Sequence, residues 1–184
     1  MERREALQLT ATLLGGTLIG SELFLSGCKA PAKEKRFLIG EADLPLLDEI
    51  GETILPATVE SPGAKAAQVG SFIQKMVNDC YGTGEAVLLL EGLEQLDQRS
   101  RTEFGNGFLG LDPEQRLAVL TPLDQEAREE RSLGHPHFFG MLKELTLWGY
   151  FSSEVGATMA LRYNPVPGRY EGCVPYTGEN AWAL

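Results

Sequence analysis

The chain has 184 residues, enough for one domain with a real core behind any leader. Its formal net charge is −10, and such an acidic chain repels phosphate backbones. It also lacks a basic stripe interleaved with aromatics, so no nucleic acid is expected among its partners.

The first stretch, "MERREALQLTATLLGGTLIGSELFLSGC", has the layout of an export signal. Arg3 and Arg4 form a charged head, residues 6–25 are mostly apolar or small with only Glu22 charged, and small residues precede Cys28. The apolar part is long enough to span a membrane, which takes about 20 residues. Thr10, Thr12, Gly15, Gly16, Thr17, Gly20 and Ser21 dilute it, however, and Glu22 is costly in lipid. "RREALQ" resembles a twin-arginine signal, with Ala6 where a bulkier apolar residue is usual, and "LSGC" resembles a bacterial lipobox. Residues 1–27 are therefore expected to be a removable signal, with Cys28 the lipidated first residue of the mature chain. That chain would be exported and lipid-anchored at the periplasmic side of a bacterial membrane. One acyl chain holds weakly and two or more hold stably.

Residues 28–40, containing "KAPAKEKRF", read as a polar linker, and residues 41–184 as a single helical domain. Leu44, Leu47, Ile50 and Ile54 recur at helical spacing until Pro56 stops them. "ATVESPGAKAAQVG" has the Pro-Gly punctuation of a loop. Phe72, Ile73, Met76, Val77 and Cys80 predict one face of a short helix closed by Gly82. "TGEAVLLLEGLEQLDQRSRTEF" predicts a longer helix, broken by "GNGFLGL". Asp112 before Pro113 is an N-cap followed by proline at the first helical position. The charged helix that follows is expected to kink or break near Pro122. "PHFFGMLKELTLWGYFSS" predicts a strongly apolar, central helix, and "SEVGATMALRY" a last short one capped by Ser153. From Asn164 a long tail dense in Pro, Gly and aromatics has no period and is expected to be extended. No stretch alternates convincingly, so the fold class is all-α.

Chemistry-bearing motifs are few. "GNGFLG" satisfies G-x-G-x-x-G as a string, but a helix precedes it where the dinucleotide fingerprint needs a strand, so it reads as a loop. His135 and His137, the only histidines, have no carboxylate or cysteine at ligand spacing, and a capping or interface role suits them better than metal. There is no haem-attachment or iron–sulfur cysteine pattern. "DQEAREERS" mixes both signs as a solvated helix face does. No catalytic, cofactor-binding or metal-binding residue is assigned. Cys80 and Cys173 can pair with each other, one can bond a partner subunit, or both can be free, and sequence alone does not decide. The aromatics concentrate in "HPHFFGMLKELTLWGYFSSEVG" and in the tail, and part of them must be core. Tyr, Trp and Arg are also enriched at interface hot spots. Phe138, Phe139, Trp148, Tyr150, Phe151, Arg169 and Tyr170 are the candidate interface residues.

"LLDEIGETILPATVESPGAKAAQVGSFIQKMVNDCY" and "FFGMLKELTLWGYFSSEVGATMALRYNPVPGRYEGCVPY" resemble the gluconate 2-dehydrogenase subunit 3 family. Ile54-Leu55-Pro56-Ala57, Pro62-Gly63-Ala64 and Thr146 to Ala157 are the most specific elements of that likeness. The resemblance implies a non-catalytic small subunit of a membrane-associated sugar or polyol dehydrogenase. Its large subunit would be an FAD-binding flavoprotein of the glucose–methanol–choline type, and a cytochrome c subunit would pass electrons on. The small subunit would help the flavoprotein mature, and its signal would carry the folded pair across the membrane. The competing expectation is a free-standing envelope lipoprotein that binds a small ligand.

Overall fold

The computed structural model describes residues 38–169 and 172–183. The signal, Cys28 and most of the linker lie outside them, as does Tyr170. Five α-helices follow in chain order: α1 (Leu44–Ile54), α2 (Val69–Cys80), α3 (Thr83–Phe104), α4 (Pro113–Ser132) and α5 (Phe138–Ser152). Two 3-10 turns (Glu41–Asp43 and Phe108–Gly110), a π-helical turn (Gly156–Ala160) and two short strands, β1 (Arg162–Tyr163) and β2 (Trp182–Ala183), complete the described elements. The all-α reading holds, with one correction: the tail returns to pair β2 in parallel with β1, Arg162 opposite Trp182 and Tyr163 opposite Ala183. A two-residue strand is too short for any periodicity to announce it.

Helix boundaries follow local chemistry. Asp112 Oδ1 accepts from Gln115 N at 2.9 Å, and Gln115 Oε1 accepts from Asp112 N at 3.2 Å, closing a capping box before Pro113. Gly105, at φ 78°, ends α3 in the left-handed conformation that suits glycine, its N–H on Arg101 O at 3.0 Å. The N-terminus of α2 has no cap of its own; Asp48 of α1 reaches across to accept from Gly70 N at 3.0 Å. The predicted kink or break at Pro122 does not become a break, because α4 is one continuous helix through it. Leu120 and Leu123 are buried on either side of the proline. Ala118, whose carbonyl loses its partner, sits on the exposed face where water can serve it.

The central helix is α5, which contacts each of the other four. Leu142 and Leu145 on α5 pack with Leu47 and Ile50 of α1, Ile73 and Val77 of α2, Leu89, Leu93 and Leu96 of α3, and Val119, Leu120 and Leu123 of α4 in one core. Close approach needs missing side chains. A Cβ on Gly92 of α3 would overlap the Phe138 ring, and one on Gly149 of α5 would come within 2.6 Å of Phe72 Cδ1. Ile39, assigned to the linker from sequence, is in fact core. Asn78 clamps its backbone from both sides, Oδ1 accepting from Ile39 N at 2.9 Å and Nδ2 donating to Ile39 O at 3.1 Å.

Candidate partner-binding surface

At the C-terminal end of α5 the helix stops at Ser153. Its Oγ donates to Tyr150 O at 2.6 Å and accepts from Gly156 N at 3.0 Å, the capping role expected of it. The chain then winds into the π turn so tightly that a Cβ on Gly156 would collide with the Tyr150 carbonyl. Leaving the turn, β1 is held by the returning tail. Arg162 N donates to Ala181 O at 2.9 Å, Asn164 N to Ala183 O at 2.8 Å and Asn180 Nδ2 to Ala160 O at 3.1 Å. The Arg162 guanidinium sits 3.4 Å from the centroid of the Trp182 ring and pairs with Glu179 at 2.6 Å. Side chains of Trp148, Phe151, Ser152, Ala157, Leu161, Tyr163 and Ala183 line the resulting groove, of ≈ 480 Å³. Trp148 is 56 % exposed and Tyr163 50 %, a large aromatic presentation for residues held by a rigid helix and a paired strand. Trp148 is fixed edge-on against Phe72, centroids 5.7 Å apart.

Beside the groove lies the loop that joins α1 to α2. One carboxylate, Glu52, binds both of its ends, accepting from Ala57 N at 3.0 Å and from Lys65 N at 2.9 Å. Any side chain at Gly63 would displace that carboxylate. From the other side the Tyr150 hydroxyl donates to Pro62 O at 2.6 Å. The three stretches that carry the family resemblance thus meet here: Leu55 to Ala57 and Pro62 to Ala64 form the loop's two arms, and Tyr150 staples it. Behind the loop, Glu49 pairs with both Lys65 and Arg116, and Arg116 also donates to Leu109 O at 3.0 Å. That network ties the loop to α1, α4 and the turn preceding α4.

The candidate interface residues divide. Trp148 and Phe151 face outward into the groove, and Arg169 is exposed in the tail. Phe138, Phe139 and Tyr150 do not belong with them: at 4 %, 2 % and 3 % exposure they are core. The correction has a simple cause. α5 is apolar on nearly every face, so its sequence does not say which face neighbouring helices cover. Leu161, Tyr163 and Ala183 complete the groove only because the tail folds back, which local sequence does not reveal; Tyr163 and Trp182 were visible only as members of an aromatic-rich tail. Cys80 and Cys173 are both exposed free thiols in this structure. Cys80, on the same predicted face as Phe72, Ile73, Met76 and Val77, is exposed at the last residue of α2.

The remaining motifs have structural work. His137 caps α5, its Nδ1 accepting from Phe139 N at 3.2 Å, and His135 faces Glu130 at 3.2 Å. In the "GNGFLG" string, Phe108 N donates to Asp97 Oδ1 at 2.9 Å and Gly110 N to Gly107 O at 2.8 Å, so those amides are already engaged. Among the described residues no three His, Cys, Asp or Glu side chains come together as a metal site. Asp124 and Tyr81 are among the titratable groups that their surroundings shift. The Lys143 ammonium, donating to Asp124, holds that carboxyl below the usual range, with Arg128 assisting. Burial, followed by the charges of Glu85 and Glu144, pushes the Tyr81 phenol up.

Neither the curated proteins nor the solved structures contain a match to this chain. The family model for gluconate 2-dehydrogenase subunit 3 matches residues 41–168, which include all five helices, the α1–α2 loop and β1. The chain therefore belongs to the gluconate 2-dehydrogenase subunit 3 family.

Proposed function

We propose that this chain is a non-catalytic small subunit that binds, stabilises and co-exports an FAD-dependent sugar or polyol dehydrogenase of the glucose–methanol–choline type. The observation that carries the reading is the family match over residues 41–168, which covers nearly the whole folded domain. FAD and the oxidation of substrate belong to the large subunit. A cytochrome c subunit is the natural electron acceptor of such a complex. Arg3 and Arg4 would route the preassembled pair through twin-arginine export, and acylated Cys28 would then tether it to the periplasmic side of the membrane. The groove around Trp148, Phe151 and Tyr163 supports the reading, because rigid, exposed aromatics are the material of interface hot spots.

The test is affinity purification of the mature protein from gently solubilised native membranes, with an absorbance spectrum and identification of co-purifying chains. A yellow complex with a larger flavoprotein is the expected result. A colourless, lone polypeptide would overturn the subunit reading and favour a free-standing envelope lipoprotein that binds a small ligand.

A further inference from the structure

We propose that the C-terminal arm, residues 179–183, is a latch: it is seated on β1 and the aromatic groove in the free subunit and must leave before the flavoprotein docks there. This rests on the subunit reading above and adds what regulates that surface. Ala183 stands beside Tyr163 in the strand pair and lines the groove with Trp148, Phe151 and Leu161, so the arm already occupies the face that the partner would take. The family match ends at residue 168. The groove's other lining residues lie within it, and the arm lies beyond it.

Little holds the arm down. Among the described residues none beyond Gly156 is buried, so the arm adds nothing to the core. Its contacts converge on one short stretch. Arg162 N and Asn164 N donate to Ala181 O and Ala183 O, Asn180 donates to Ala160 O, and the Arg162 guanidinium holds both Trp182 and Glu179. Segments with few buried contacts and exposed hydrogen bonds open at small free energy. The seat is also imperfect: Arg162 Nε is buried and has no hydrogen-bond partner among the described residues. An unsatisfied buried donor costs stability, and that cost ends when the arm lifts and water reaches it. Just ahead of the arm, Gly178 takes the left-handed conformation, at φ 89°, where a Cβ would be strained. A latch of this kind divides the apparent affinity for a partner by the fraction of chains that are open.

The experiment incubates the tagged full chain with the larger flavoprotein at concentrations that leave the parent mostly unbound, and measures the flavin retained. Amide exchange of the free chain is recorded beside it. Gly178→Ala strains the closed backbone without removing any side chain, and Trp182→Ser removes the ring stacked on Arg162. Both variants should speed exchange at Arg162 and Asn164 and should raise retention about two- to fivefold. Their thermal midpoints should stay near the parent's, because the arm buries nothing in the core. Faster exchange with unchanged or reduced retention would overturn the latch and leave the subunit reading intact. Exchange that neither variant alters would overturn the latch as well. A flavoprotein retained by neither the parent nor the variants would overturn both readings.

Discussion

Asp124 holds two cations at once, Lys143 Nζ and Arg128 Nη2, each at 2.6 Å. Its carboxyl titrates below the ordinary range in the folded chain, so its contribution to stability is complete above the unfolded value of about 3.9 and fades as pH falls through the folded one. The pair lies near the surface, which limits the effect to about 1 kcal/mol or less. Asp124→Asn should accordingly lower the urea midpoint at pH 7, and the gap from the parent should close as the pH is taken below about 4. A gap that persists unchanged in acid would mean that the carboxylate's charge is not what matters. Residue-scale chemistry was legible in the sequence where partners sit three residues apart, as in the caps made by Asp112 and Ser153. The Asp124–Lys143 and Glu49–Arg116 pairs were not, because 19 and 67 residues separate their members and only the fold joins them.

At the scale of the elements, two glycines in α3 make opposite predictions. Gly92 lies under the Phe138 ring, whereas a Cβ on Gly84 would meet nothing within 4 Å. Gly92→Ala should destabilise by about 1–3 kcal/mol, since overpacking outweighs the gain in helix propensity. Gly84→Ala should stabilise by about 0.4–1 kcal/mol through the unfolded state alone. Chemical denaturation of both variants checks the pair, and equal effects would refute the packing argument. The same contrast explains why α3 could be bounded from sequence but not oriented. Periodicity marks where a helix runs, and the glycine that admits a neighbour looks no different from one that merely lies in it. Pro122 teaches the converse, since burial of Leu120 and Leu123 carries α4 through a residue that normally interrupts a helix at a cost of about 3 kcal/mol.

For the whole molecule, the aromatic groove exists only when α5, the π turn and the returning tail are assembled. Phe151 and Tyr163 are exposed enough to be replaced without emptying the core. Phe151→Ser combined with Tyr163→Ser should therefore reduce flavoprotein retention by an order of magnitude or more, as loss of hot-spot aromatics does. The thermal midpoint should stay within a few degrees of the parent's. Unchanged retention would move the docking site away from this end of the bundle. Arg162→Ala offers a structural companion. Without the cation over Trp182 and the Glu179 pair, a two-residue strand pair has little to hold it. Amide exchange at Arg162 and Asn164, which donate across β1 and β2, should then accelerate.

The sequence by itself determined the all-α class, the order and approximate limits of the helices, the turn punctuation and the family likeness. Each of these depends on spacing and capping within a few residues of chain. Tertiary structure alone decided which aromatics are core and which are surface. On α5 nearly every face is apolar, so the burial of Phe138, Phe139 and Tyr150 and the exposure of Trp148 and Phe151 are set by where α1 to α4 happen to pack. It also decided that the tail returns to complete the groove, through a pairing whose partners, Arg162 and Trp182, lie 20 positions apart with no pattern in the intervening chain to join them.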